Sequence, residues 1–221
     1  MRVLITGATG LTGRQILVRA AQRGITVTAV VRPGSAHTGV LASFDGSVVV
    51  ADPLDPDALT PHVRGHDVVV CAVGQNRRTR SPWARLVSPP DTITRAARAL
   101  ATAADRGDVR VGVLLSANGV ADSREQTSRV FQWLVDHSNL RHAFEDSAAA
   151  ERAVEAARTP WVVLRPTLLG GKPSGWQHLD RVAGLRTTIS RADVADAVLD
   201  AAAPTVVQPS TMPITAVRRP G

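Results

Sequence analysis

Three glycines spaced three apart, Gly7, Gly10 and Gly13, lie between the apolar run Arg2–Thr6 and the helical spacing of Leu11–Arg23. A dinucleotide pyrophosphate needs glycines at these points. Gly7 permits the tight turn, Gly10 lets backbone approach the phosphates, and Gly13 lets the helix pack closely on the strand. The N-terminus of that helix then offers free N–H groups and a partial positive charge to the anion. Thr9 and Thr12 add hydroxyl donors beside Leu11. A glycine triplet alone is weak evidence, but here a strand precedes it, a helix follows, and a second strand comes on schedule at Thr26–Val31. That strand ends Val30-Val31-Arg32, where an NAD-specific site commonly carries Asp or Glu. An arginine there favours a 2′-phosphate, hence NADPH over NADH. Such a contact is worth about 1.5–3 kcal/mol, roughly ten- to a hundredfold in affinity. Asp52, just past the third strand, is placed for the adenine amine. Val73 and Gly74, after the fourth strand, should line the nicotinamide ribose.

The elements that must hold these residues alternate between β and α. Strands are expected at Arg2–Thr6, Thr26–Val31, Ser47–Ala51, Asp67–Val73, Val109–Leu115 and Trp161–Leu164, with a last one at Met212–Val217. Helices are expected at Leu11–Arg23, ended by Gly24, and at Thr92–Arg106 and Ala143–Ala157. A last helix begins after Ser190 as N-cap, with Asp193 in its first turn. Near-continuous apolar strands separated by helices imply an α/β fold: a Rossmann-like, doubly wound parallel β-sheet with helices on both faces. No linker divides the chain, so residues 1–221 read as a single domain. Segments at about 75–90, 118–146 and 167–190 are left to form the acceptor side of the site.

Composition narrows the classes. A chain of 221 residues with 44% apolar content can bury one good core, and no apolar run is long enough to span a membrane. The strand that begins at Arg2 leaves no room for a signal peptide, and the one cysteine, Cys71, sits in an apolar run as a buried thiol. Both features read as cytoplasmic. The net charge of +7 comes almost wholly from scattered arginines, with Lys172 the sole lysine, so it reads as a solvated surface and not a nucleic-acid site. No His/Cys/Asp cluster has metal-ligand spacing, and no Gly-x-Ser-x-Gly turn is present.

The whole set of motifs resembles the extended and atypical short-chain dehydrogenase/reductase superfamily, and within it the NAD(P)H-binding, NmrA-like group that includes the biliverdin reductase B (flavin reductase) proteins. The likeness rests on Gly7–Gly13, Val30-Val31-Arg32, Ala51-Asp52-Pro53-Leu54, Val73-Gly74, Leu115-Ser116-Ala117, Leu164-Arg165-Pro166 and Ser190–Ala195. It implies cofactor contacts from Pro53, Ser116, Ala117, Pro166 and Thr167 as well, with Ser116 at the nicotinamide carboxamide or orienting the acceptor. One departure is large. Most members of the superfamily use a Tyr-x-x-x-Lys pair as acid, and this chain contains no tyrosine. A positioned general acid contributes about 10²–10⁴-fold. Reducing an isolated ketone leaves an alkoxide that needs such an acid, whereas a flavin, quinone or conjugated tetrapyrrole gives a delocalised anion that solvent can protonate.

The expected activity is therefore hydride transfer from NADPH to a planar conjugated acceptor: a flavin, a quinone, or an aromatic or polyketide intermediate. Ser116 and Glu151 are the catalytic candidates. The resemblance places Glu151 where flavin-reductase relatives carry a histidine, as a proton relay, and pairing with Arg152 or Arg158 is the plainer role. Val130–Asp146, with Phe131, Trp133, His137, His142 and Phe144, reads as a lid over the acceptor or as a helix packed on the core. Arg77, Arg78 and Arg80 beside Trp83 suit an anionic acceptor such as a flavin phosphate or a bilin carboxylate, or form a plain solvated loop. The alternative function is a non-catalytic NADP(H)-binding redox sensor of NmrA type, and a third is an isomerase or dehydratase. A monomer or simple homodimer is expected.

Overall fold

The computed structural model describes residues 1–34, 41, 44–79, 81–179, 187–203 and 209–217. Its central sheet takes the strands in the order β3 (Ser47–Val50), β2 (Thr26–Val31), β1 (Arg2–Thr6), β4 (Val68–Cys71), β5 (Val111–Leu115), β6 (Trp161–Pro166), β10 (Ser210–Ala216) and β8 (Trp176–His178). All neighbours are parallel except β8, which runs antiparallel along β10. This is the Rossmann-like arrangement that the alternating pattern implied. The strand order reverses at β1, which pairs with β2 on one side and β4 on the other, opening a crevice at their carboxyl ends.

Two apolar layers cover the sheet. Helices α1 (Leu11–Gln22) and α6 (Arg191–Ala201) pack on one face through Ile16, Leu17, Ala20, Val194 and Val198. Helices α2 (Pro56–Val63), α3 (Thr92–Gly107) and α5 (Leu140–Glu155) cover the other through Leu59, Ala96, Leu100 and Val154. Gly24 ends α1 at φ +64, with the Ile25 N–H donating to Ala20 at 2.9 Å, as a C-terminal glycine should. Ser190 caps α6 by accepting from the Asp193 N–H at 3.0 Å. Cys71 is fully buried, and that burial pushes its thiol up to about 11, as an inert core thiol requires.

The observed elements differ from the sequence expectation at several places. The fourth strand stops at Cys71, two residues early, because Ala72 and Val73 turn across the face of Gly7. The Val130–Asp146 stretch is two helices, α4 (Arg129–Asp136) and the start of α5, broken at His137–Asn139. Helix α2 was not anticipated. Its Pro61 reads as a breaker, yet Asp55 caps the helix at 2.9 Å and Pro56 occupies its first turn, so it survives as eight residues. A short pair, β7 (Leu168–Leu169) and β9 (Thr188–Ile189), follows β6.

Candidate active site

The glycine turn lies at the mouth of the β1/β4 crevice. Gly7 has φ +81, and a Cβ there would stand 2.5 Å from the Ala72 carbonyl group. A Cβ on Gly13 would stand 2.2 Å from the Gly7 carbonyl oxygen. Both positions therefore exclude every other residue. Gly10 opens α1 in an extended conformation, no side chain caps the helix, and no acidic residue stands in its first turn. That uncapped positive end matches what a pyrophosphate requires. Around it, Arg14 Nε donates to the Thr9 carbonyl at 2.9 Å and closes the loop. Arg32 is exposed just after β2 and forms no salt bridge among the described residues. Asp52 Oδ1 accepts from the Leu54 N–H at 2.9 Å over the buried Pro53, at the end of β3. Gly74 has open space around its Cβ position.

Strand parity brings the two catalytic candidates together. On β6, Trp161 and Val163 face the layer beneath α5, so Arg165 faces it too. On β5, Leu114 faces the same layer, and so does Ser116 just beyond the strand. Helix α5 turns Ser147, Ala150, Glu151 and Val154 toward that layer. The outcome is a buried network. Ser116 Oγ donates to Glu151 Oε1 at 2.5 Å, and Arg165 grips the same carboxylate with Nε at 2.9 Å and Nη2 at 2.6 Å. The third guanidinium nitrogen reaches Asp122 at 2.7 Å. Burial works against the Arg165 charge, but its bonds to Glu151 and Asp122 outweigh burial and raise its pKa. Neither Arg152 nor Arg158 pairs with Glu151; Arg158 sits instead by Asp105. In the sequence, Arg165 stands out only as the middle of Leu164-Arg165-Pro166, and the structure makes it the partner of Glu151.

A second buried carboxylate fixes the neighbouring wall. Asp146 accepts from the Ile93 and Thr94 N–H groups at 2.8 Å each and from the Thr94 hydroxyl at 2.7 Å. It thereby caps α3 from another helix. It also accepts from Gln75 Nε2 at 3.1 Å, which ties down the loop after β4. Asp146→Ala should cost about 2–4 kcal/mol by denaturant unfolding, because four donors lose a charged acceptor. A cost under about 1 kcal/mol would remove Asp146 from this role.

Above Ser116 the crevice widens into a cavity of about 740 Å³. Leu11, Ser116, Ala117, Pro166 and Thr167 form its floor, and Phe131 and Phe144 form a wall with ring centroids 5.8 Å apart at 65°. Arg77 and Arg78 border it from the loop after β4; Arg80 lies outside the described residues, as do residues 180–186 of the expected 167–190 segment. His137 does not line the cavity and stacks on the exposed Trp133 at 4.8 Å. Among the described residues no helix is long and apolar enough to cross a membrane.

Comparison with known proteins places this geometry in context. A profile described as NAD(P)H-binding matches residues 7–204. The chloroplastic divinyl chlorophyllide a 8-vinyl-reductase of Zea mays is 31% identical over 185 residues, covering 77% of this chain and 42% of that protein. The chloroplastic High Chlorophyll Fluorescence Phenotype 244 protein of Arabidopsis thaliana is 39% identical over 74 residues, covering 33% of this chain and 19% of that one. The chain thus spans less than half the length of these curated relatives. Among solved structures, ChuY of Escherichia coli O157:H7, described as an anaerobillin reductase, superposes with a TM-score of 0.77 at 19% identity over 100% of both chains. A short-chain dehydrogenase/reductase from Veillonella parvula, solved with NADP, gives a TM-score of 0.73 at 14% identity over 97% of this chain and 94% of that one. Both share this fold.

Proposed function

The chain belongs to the NAD(P)H-binding family, and from that premise we propose that it is an NADPH-dependent reductase of a planar conjugated acceptor. The observation that carries the reading is a shared wall. Leu11, Ser116, Ala117, Pro166 and Thr167, expected at the cofactor, line the same cavity as Arg77, Phe131 and Phe144, expected at the acceptor. When bound, the cofactor supplies a hydride at that wall. The first-turn N–H groups of α1 hold its phosphates, Arg32 its 2′-phosphate, and Gly74 leaves room beside its ribose.

Ser116 donates its single O–H to the Glu151 carboxylate, so its oxygen lone pairs suit the N–H donors of a carboxamide. Glu151 is a positioning residue in this scheme. Ser116 and Arg165 engage its carboxylate from within the protein, which favours orienting Ser116 over relaying a proton. With no tyrosine in the chain, the product anion must be delocalised enough for solvent to protonate it. The name of the maize relative, an 8-vinyl-reductase, supports reduction of an unsaturated substrate.

The test is NADPH oxidation, followed at its near-ultraviolet absorbance, with FMN, riboflavin and a naphthoquinone offered in parallel. Saturable, acceptor-dependent turnover is expected. Arg32→Ala should raise the KM for NADPH roughly ten- to a hundredfold and leave that for NADH nearly unchanged. Tight NADPH binding with no acceptor consumed would favour a redox sensor instead.

A further inference from the structure

Helix α4 keeps little of its apolar surface inside the protein. Five of its eight residues are apolar, yet only Val135 is buried. Phe131 turns to the cavity wall, while Val130 and Trp133, three residues apart on one face, are exposed. The loop after β4 extends this face. Arg77 bridges Leu86 across a small antiparallel turn, and along it Ser81, Trp83, Arg85 and Val87 alternate outward between half-buried neighbours. Trp83 is fastened to the end of α4. Its Nε1 donates to the His137 carbonyl at 3.0 Å, and Asn139 Nδ2 donates to the Trp83 carbonyl at 2.9 Å. Through the stack of His137 on Trp133, the turn and the helix form one continuous surface. Two of the chain's four tryptophans lie on it, Trp83 57% and Trp133 56% exposed, with Val87 and Val130 barer still. Apolar surface gathered in this way marks a place of contact.

The charge around it says what the contact is with. Residues 75–90 hold four arginines and no acid. Arg78, Arg85, Arg129 and Arg141 are exposed and form no salt bridge among the described residues. The acid of α4, Asp136, is already paired with Arg124 at 2.5 Å, which leaves Glu125 and Glu145 as the other exposed acids of residues 124–145. A second copy of this chain fits poorly, since a twofold contact would set the same arginines against each other. Indole rings flanked by arginines suit the headgroup layer of a bilayer. There the rings rest at the acyl boundary and the guanidinium groups meet lipid phosphates.

From this surface we infer that α4 and the turn dock the protein peripherally on an anionic lipid bilayer. Val130, Trp133, Trp83 and Val87 enter the headgroup layer, and Arg85 and Arg129 meet its phosphates. Because α4 also carries Phe131 on the cavity wall, docking sets the cavity beside the lipid surface. The inference does not rest on the reductase reading.

Cosedimentation of the full chain with vesicles tests it. Phosphatidylcholine alone is compared with phosphatidylcholine containing phosphatidylglycerol, at low and at high salt. Strong binding is expected to the anionic vesicles only, falling as salt rises. Arg85→Gln combined with Arg129→Gln should weaken it about twentyfold, roughly fivefold for each charge lost near the surface. Trp133→Ala should weaken it about tenfold and remove most of the blue shift in tryptophan emission. Val48→Ala, exposed on the edge strand β3, should leave binding unchanged. Each variant is first checked for an unchanged melting temperature. No vesicle binding, equal binding to neutral vesicles, or binding indifferent to these variants overturns the inference. So does a concentration-dependent dimer that Trp133→Ala abolishes while vesicles stay unbound, since a second copy would then occupy this face.

Discussion

Glu151→Ala is expected to destabilise the fold by about 3–5 kcal/mol, the cost of leaving one member of a buried ion pair alone. The side chains of Arg165 and Glu151 are 5% and 3% exposed, and the two share bidentate hydrogen bonds. Without Glu151 the guanidinium retains Asp122, whose side chain is 78% exposed and a weak substitute. Deprotonation offers no relief, since a guanidinium stays protonated in proteins. Replacing both partners, as in Glu151→Leu with Arg165→Met, should restore most of the stability, because neither charge is then buried alone. Denaturant unfolding of the single and double variants checks this. A single variant within about 1 kcal/mol of the parent would show that the pair contributes little. The double variant should regain the fold and still bind NADPH more weakly, since Ser116 has lost the acceptor that orients it.

Gly13→Ala carries the second large effect. Its Cβ would meet the Gly7 oxygen at 2.2 Å and the Ala8 backbone at 2.8 Å, and backbone atoms cannot swing aside. The phosphate turn must open, and NADPH affinity should fall roughly ten- to a hundredfold for a strain of about 1–3 kcal/mol. Gly24→Ala is the matched control. Gly24 has φ +64 but open space around its Cβ, so it should lose about 1 kcal/mol of stability and no affinity. Calorimetric titration of both variants reads the contrast. Equal affinity in the two would mean that Gly13 is not at the phosphates.

The readable part of the molecule is the part built from local signals. Strand, glycine turn and helix at residues 2–23 follow from spacing alone, as do the Gly24 stop and the Ser190 cap. What the pattern concealed was long-range. Arg165 lies 14 residues from Glu151, and their pairing depends on Trp161, Val163 and Arg165 sharing the face of β6 that α5 covers. The alternation was visible in the chain, but an arginine in a strand reads as solvated until the covering helix is known. Asp146 was grouped with the acceptor lid, whereas tertiary packing makes it the cap of α3, a helix 52 residues away. Helix α2 was hidden by Pro61, whose usual penalty matters less in a helix of eight residues held by its cap.

The most direct measurement is an anaerobic single turnover with the protein in excess over NADPH and FMN. The expected result is loss of the NADPH and flavin absorbances together, one for one, at a rate that saturates with protein. NADPH that binds and stays unoxidised while flavin absorbance holds steady would contradict a reductase whose cofactor and acceptor meet over Ser116.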